Sequence, residues 1–128
     1  MKVKPIRILT ICALFLFAFA SCTWEEGEPF DGSDVSDVSY EFDILPIWNE
    51  SCNMSGCHPS GGIPPDLSIE NGFESIIALD MVDTLAPEES ILYKRMIDAQ
   101  KPMPTTGILP PSQTNLVLVW ITEGAKNN

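Results

Sequence analysis

The sequence predicts a small all-α domain in which short helices are separated by long loops. After residue 40, apolar residues recur at helical spacing in several short segments. None of these segments alternates apolar and polar residues as a half-buried strand would, and Pro and Gly cluster between them. A chain of 128 residues is expected to form one domain, so we expect these helices to share one core.

The first segment of the chain predicts export. Lys2, Lys4 and Arg7 precede an almost wholly apolar run at residues 8–20, which is the charge pattern of a secretory signal. The run is too short to be a comfortable membrane span, and no second apolar run follows it. We therefore assign residues 1–21 to a signal peptide.

A cysteine lies directly at the predicted end of this signal. The segment Phe19-Ala20-Ser21-Cys22 resembles a bacterial lipobox, in which small residues precede the cleavage site. Cys22 would then become the N-terminus and carry a lipid that anchors the exported protein to a bacterial membrane. The anchored protein would face the periplasm or the cell surface. The alternative is an ordinary signal followed by an unmodified cysteine.

The charge of the remaining chain is strongly negative. Residues 22–40 are acidic, contain Gly and Pro and lack apolar periodicity, so they predict a flexible tether. Removal of the signal leaves four basic residues against eighteen acidic ones, a net charge of −14. Such a surface makes nucleic acid a poor partner. It would attract a protein that carries a basic docking patch.

The predicted domain, residues 41–128, begins with two short helices. Asp43 is expected to cap the first one, with Pro46 in its first turn. Its apolar residues are Phe42, Ile44, Leu45, Ile47 and Trp48. Residues 72–79 predict the second helix, with Phe73, Ile76 and Ile77 on one side.

Two more helices are expected around a proline-rich loop. The segment Pro87-Glu88-Glu89-Ser90 predicts a helix start with an acidic first turn, followed by a buried stripe of Ile91, Leu92, Met96 and Ile97. Residues 101–111 contain four prolines and predict an extended loop. Ser112 is expected to cap the last helix, whose inward residues are Leu116, Val117, Val119, Trp120 and Ile121.

The most informative segment is Cys52-Asn53-Met54-Ser55-Gly56-Cys57-His58. Two thiols followed at once by an imidazole form the attachment pattern of a c-type haem, although the usual spacing has two residues between the cysteines and here there are four. Cys52 and Cys57 would form thioethers, and His58 would bind the iron. The Nδ1–H of His58 would need an acceptor, for which a backbone carbonyl of residues 63–65 is a candidate. Gly56 would allow the longer loop to turn tightly.

The second axial ligand is expected to be a methionine. His58 is the only His in the chain, so a second imidazole is absent, and a thioether is the alternative. Met103 lies between Pro102 and Pro104, whose restricted backbone would present its sulfur at a small entropic cost, and it is the predicted ligand. Met81 remains open as an alternative. Met96 is expected in the core, and Met54 lies between the two cysteines.

Four segments together resemble the short cytochrome c domains of exported Bacteroidetes and Planctomycetes proteins. These segments are 46–58 around the cysteines, 87–94, Lys101-Pro102-Met103-Pro104, and 118–125. They lie in the family's order and cover roughly residues 42–127. The resemblance implies a class I cytochrome c-like fold around one covalent haem c, with thioethers at Cys52 and Cys57 and iron ligation by His58 and Met103.

The resulting expectation is a one-electron carrier with a redox partner protein and no enzymatic activity. With both axial positions filled, the iron would offer no open site to a substrate. Three alternatives remain from the residues themselves. Cys52 and Cys57 could form a disulfide that staples a surface interaction module. The two cysteines could bind another metal together with His58, although these are three ligands and a structural zinc site has four. If Met103 were not bound, the open iron could support a haem enzyme.

Overall fold

The fold was analysed in a computed structural model, which describes residues 36–128. The predicted signal peptide, the lipid site at Cys22 and the tether up to residue 35 lie outside the described residues. The described part contains helices and no strand, which confirms the all-α prediction there. We number the α-helices in chain order, and the elements are a π-helical turn Tyr40–Ile44, α1 Leu45–Ser51, α2 Gly72–Ala78, a 3-10 turn Pro87–Glu89, α3 Ile91–Ile97 and α4 Pro111–Thr122. Across residues 36–128, no helix has the length and apolarity needed to cross a membrane.

The first helical segment starts one turn earlier than the sequence predicted. Ser39 is its N-cap, because the Ser39 hydroxyl accepts a hydrogen bond from the Phe42 amide at 3.2 Å. The prediction that Asp43 is the cap was wrong. Its carboxylate instead accepts a hydrogen bond from the Ser39 amide at 2.8 Å. The side chains of Ser39 and Asp43 thus satisfy two amides at the start of the turn, as in a capping box. Pro46 does lie in the first turn of α1.

The two ends of the domain are tied together. The Glu123 carboxylate accepts hydrogen bonds from the backbone amides of Asp37 at 2.7 Å and Val38 at 2.8 Å. The Tyr40 amide donates to Asn128 Oδ1 at 3.0 Å, and the Glu41 amide donates to the Asn128 carbonyl at 3.0 Å. These bonds hold the π-helical turn against the end of α4.

The core is formed where the first and last helical segments meet. Its largest fully buried side chains are Trp48, Trp120, Ile44, Ile76, Ile121 and Val117. Tyr40 packs against Trp120 with ring centroids 5.5 Å apart and against Phe73 at 5.3 Å, so one aromatic cluster joins the π-helical turn, α4 and α2. Gly72 permits this close approach, since a Cβ there would lie 2.8 Å from the Tyr40 hydroxyl.

The helices of the second half differ from the prediction at their starts. Residues 87–89 form a 3-10 turn, and Ser90 leaves it with an extended backbone (ψ 132°) before α3 begins. Helix α4 starts at Pro111 and has no side-chain cap, so the assignment of Ser112 as a cap was wrong. Pro at the start of a helix loses no hydrogen bond, because the first amides of a helix have no partner within it.

The predicted stripe of α3 is only half buried in the core. Leu92 and Met96 are buried, whereas Ile91 and Ile97 are 54% and 43% exposed. The helix has only seven residues, so its contact with the core is made by one pair of residues four positions apart, Leu92 and Met96. Ile91 lines a cavity instead, and that cavity contains the predicted site.

Candidate haem site

A cavity of about 350 Å³ lies between α1, α3 and the loops that follow them. The residues that line it include both cysteines and the His of the attachment segment: Cys52, Cys57 and His58. The four methionines of residues 36–128 line it too: Met54, Met81, Met96 and Met103. Segments that are up to 51 positions apart in sequence thus contribute soft sulfur donors and an imidazole to one space.

The loop between the cysteines turns back on the end of α1. The amide of Cys57 donates to the Met54 carbonyl at 2.9 Å, which closes a turn inside the loop. Gly56 adopts φ +84° in that turn, a left-handed conformation that Gly reaches without strain. The His58 amide then donates to the Cys52 carbonyl at 3.1 Å. The internal turn absorbs the longer spacing, because it returns His58 to the residue at which the loop began.

The His58 ring is oriented by backbone carbonyls, as the sequence predicted. Its Nδ1 lies 2.9 Å from the carbonyl oxygen of Ile63 and 3.1 Å from that of Pro65. A carbonyl oxygen can only accept, so Nδ1 carries the proton and donates. In the neutral imidazole, Nε2 is then the nitrogen with the free lone pair, which is the form that a metal ligand requires.

Further backbone bonds hold the segment that supplies these carbonyls. The Ile63 amide donates to the Cys57 carbonyl at 3.1 Å, and the Leu67 amide donates to the His58 carbonyl at 2.7 Å. Leu67 is 3% exposed and so anchors the far end of the segment in the core. The His58 ring is therefore positioned by residues that are themselves fixed.

The two thiols differ in their surroundings. Cys52 is 9% exposed, and burial raises the pKa of its thiol to about 11, with a further contribution from the nearby Cys57 thiol. Cys57 is half-buried. Both are free thiols in this structure. A neutral thiol is the form that a largely apolar cavity favours.

The loop between α3 and α4, residues 98–110, carries Met103, and this methionine loop is held at the end of α3. The amide of Met103 donates to the Arg95 carbonyl at 2.8 Å, which places the loop beside the last turn of the helix. Met103 is half-buried, whereas Met96 is 3% exposed and belongs to the core while also lining the cavity. Met81 is half-buried, and its carbonyl accepts from the Leu92 amide at 3.0 Å. Met103 and Met81 therefore both remain compatible with a ligand role.

Arg95 is a cavity residue that the sequence reasoning missed. Of the described residues that line the cavity, it is the only one with a fully charged side chain. Ile91 and Arg95 are four positions apart, as are Leu92 and Met96, so α3 turns two adjacent rows toward the cavity. The only sequence signal was the four-residue spacing from Ile91 to Arg95, which places the two on one helix face but does not say what lies opposite that face.

The buried indole of Trp48 forms one wall of the cavity. Its Nε1 and the Tyr40 hydroxyl both lack a hydrogen-bond partner. Burial raises the pKa of Tyr40 to about 12, and the proximity of the Trp48 indole N–H opposes that rise. The two groups are thus neighbours in the core without the geometry of a hydrogen bond. The Nε1–H of Trp48 lies beside Tyr40 in the core.

These residues fit the chemistry of a covalently held haem. The cavity is lined mostly by apolar side chains, it holds two thiols and an imidazole with a free Nε2, and its one charged group is a cation that suits the carboxylates of a haem. Within residues 36–128, no group of three or more His, Cys, Asp or Glu side chains could hold a metal ion. The donors expected here are a His and a Met, and the latter is not one of those types.

Comparison with protein-family models, with curated proteins and with solved structures gives no match to this chain.

Proposed function

We propose that this protein is a monohaem c-type cytochrome that carries single electrons and is held to a membrane by a lipid on Cys22. The observation that carries the proposal is the meeting of Cys52, Cys57, His58 and Met103 in one cavity, with His58 Nδ1 already donating to carbonyls. A bound haem would supply a one-electron couple at its iron, and His/Met ligation would raise its reduction potential.

The chain's own residues would bind, orient and shield that group. Cys52 and Cys57 would hold it through thioethers, and His58 would present Nε2 in a fixed tautomer. Met103 is proposed to bind the iron together with His58. If both residues bound it, no coordination site would be open to a substrate, so the proposed role is electron transfer and not enzymatic catalysis.

The open side of the cavity is the proposed route for electrons. Met54, Ile63 and Ile91 line the cavity and are also 43%, 61% and 54% exposed, so the cavity reaches the surface beside them. Electron-transfer encounters need a short approach and only a small interface. The strongly acidic chain favours a redox partner with a basic docking patch, because opposite charges speed the encounter.

The test of haem attachment is expression of the full chain in a bacterium with the c-type maturation machinery. We expect a mass gain of one haem that survives denaturation, together with the absorption bands of a c-type haem. The variant Cys52→Ala/Cys57→Ala should lose the covalent mass gain. Cys12→Ala, which changes a thiol inside the predicted signal, is the matched control and should leave it intact. Wild-type protein that lacks haem and weighs two hydrogens less would favour the disulfide-stapled module instead.

The test of the axial ligand compares three methionines that line the same cavity. Met103→Leu should abolish the sulfur-to-iron charge-transfer band of the oxidised protein and allow carbon monoxide to bind the reduced form. Met81→Leu and Met96→Leu each remove another sulfur from the same cavity, at nearly unchanged side-chain volume, and should preserve the band. Loss of the band in Met81→Leu alone would identify Met81 as the ligand. Carbon monoxide binding to the wild type would favour a haem enzyme.

A further inference from the structure

One carboxylate oxygen organises the start of the methionine loop. Helix α3 ends at Ile97, and Asp98 leaves it with an extended backbone (φ −64°, ψ 114°). Asp98 Oδ1 accepts hydrogen bonds from the amides of Gln100 at 2.8 Å and Lys101 at 3.1 Å. These two bonds close a turn directly after the helix, in the manner of an Asx turn.

The turn leads the chain back to the helix that it has just left. The Met103 amide donates to the carbonyl of Arg95, one of the last carbonyls of α3, which have no partner inside the helix. Residues 98–103 thus form a short loop that is closed at its start by the Asp98 carboxylate and at its end by the Met103 amide. A change in the turn would move the point at which Met103 meets the cavity.

Packing contributes little to this turn. Ala99, Gln100 and Lys101 are all exposed, so no buried side chain fixes the backbone between Asp98 and Met103. Hydrogen bonds from Gln100 and then Lys101 hold the pKa of the Asp98 carboxyl below its usual range, so the carboxylate is charged and a strong acceptor near neutral pH.

We propose that Asp98 is a positioning residue that holds Met103 in reach of the haem iron, a proposal that rests on the function proposed above. Asp98 does not line the cavity, so its effect passes through the loop. Without it, the loop would sample more conformations, and the sulfur would spend more time away from the iron.

The chain offers a matched control for this proposal. Asp83 builds the same kind of turn elsewhere, since its Oδ1 accepts from the amides of Leu85 at 2.9 Å and Ala86 at 3.0 Å. Its turn precedes the 3-10 segment and lies two residues from Met81, the competing ligand. Asp98→Ala and Asp83→Ala therefore remove equivalent hydrogen bonds next to different methionines.

The experiment uses the haem-loaded full chain and titrates the oxidised protein with imidazole, which binds only when the methionine has left the iron. Asp98→Ala should bind imidazole about tenfold more tightly than the wild type, because apparent affinity follows the population of the open state. The charge-transfer band should weaken in parallel. Asp98→Asn keeps an Oδ1 acceptor and should restore most of both signals. Asp83→Ala should match the wild type.

Three results would overturn the inference. Wild-type imidazole affinity in Asp98→Ala would show that the turn does not hold Met103. An equal gain in Asp98→Ala and Asp83→Ala would indicate general loosening, and a gain in Asp83→Ala alone would point to Met81. Failure of the proposed function looks different, because the wild type would then carry no haem. Faster exchange of the Gln100 and Lys101 amide hydrogens in Asp98→Ala should accompany the expected result.

Discussion

The reactivity of Cys52 toward a thiol reagent should depend strongly on folding. Burial and the Cys57 thiol raise its pKa from the ordinary 9.0 to about 11. At pH 8 this lowers its thiolate fraction about a hundredfold relative to the unfolded chain. A more basic thiolate is a better nucleophile, and a Brønsted slope of about 0.4–0.5 makes the Cys52 thiolate react about tenfold faster than one with the ordinary pKa. The remaining difference is about tenfold, and the low exposure of Cys52 should increase it.

The assay is alkylation of the reduced, haem-free protein by iodoacetamide, followed through the masses of the peptides. Cys52 should react at least about tenfold more slowly in buffer than in concentrated urea at pH 8. In buffer its rate should keep rising from pH 8 to pH 10, whereas in urea it should level off above about pH 9. Cys57→Ser should accelerate Cys52 slightly, because the Cys57 thiol is the smaller of the two causes.

Equal rates in buffer and urea would refute the reasoning, as would a rate in buffer that levels off near pH 9. Either result would mean that Cys52 is not buried in the haem-free protein. The expected result has a consequence for haem attachment. If the proposed haem is attached, a thiol this protected would have to form its thioether before the chain around it has finished folding.

Three further predictions concern the fold around the site. Ile76→Ala should lower the free energy of unfolding by about 2–5 kcal/mol in urea titrations because Ile76 is 0% exposed. Its neighbour Ile77 is 43% exposed, so Ile77→Ala should lower the free energy of unfolding much less. Equal losses would contradict the placement of α2. The backbone amides of Asp37 and Val38 hold the pKa of Glu123 below its ordinary 4.5, so its stabilisation is complete above that pH and is lost as the pH falls through the folded-state pKa. Glu123→Ala should thus destabilise the protein near pH 7, and this effect should shrink as the pH falls below 4.5, while Glu50→Gln, at an exposed carboxylate, should do neither. Gly56→Ala should lower the free energy of unfolding by about 1–2 kcal/mol because the φ of +84° is unfavourable for Ala. The added Cβ itself meets no atom within 4 Å, so the backbone conformation is the cause. An unchanged melting temperature would show that the loop adopts another turn.

The outcomes for individual helices show why local patterns predict some features and not others. Helix α2 was predicted to within one residue of its observed end, since its apolar positions and its flanking polar residues agree. The caps Asp43 and Ser112 were wrong. A capping side chain is chosen by the position at which the preceding chain enters the helix, and long-range bonds to Glu123 and Asn128 set that entry for the first segment.

The stripe of α3 illustrates the same limit from the packing side. Periodicity indicates which side chains share a face, but it does not say whether core, cavity or solvent lies opposite that face. Ile91 and Leu92 look alike in the sequence, yet Leu92 is 5% exposed and Ile91 is 54% exposed because it borders the cavity. Arg95 was overlooked for the same reason, since a charge on a short helix is usually solvated.

The sequence by itself determined the helical class and named the candidate donors, because these depend on residue types and short spacings. His58, both cysteines and Met103 were identifiable in this way, and so was the need for a carbonyl acceptor near residues 63–65. Only the tertiary structure decided that these donors share one cavity, that Pro65 as well as Ile63 faces the His58 ring, and that Asp98 shapes the methionine loop. Those facts depend on where loops from distant parts of the chain meet. That meeting is fixed by the packing of Trp48, Trp120 and their neighbours rather than by any local pattern.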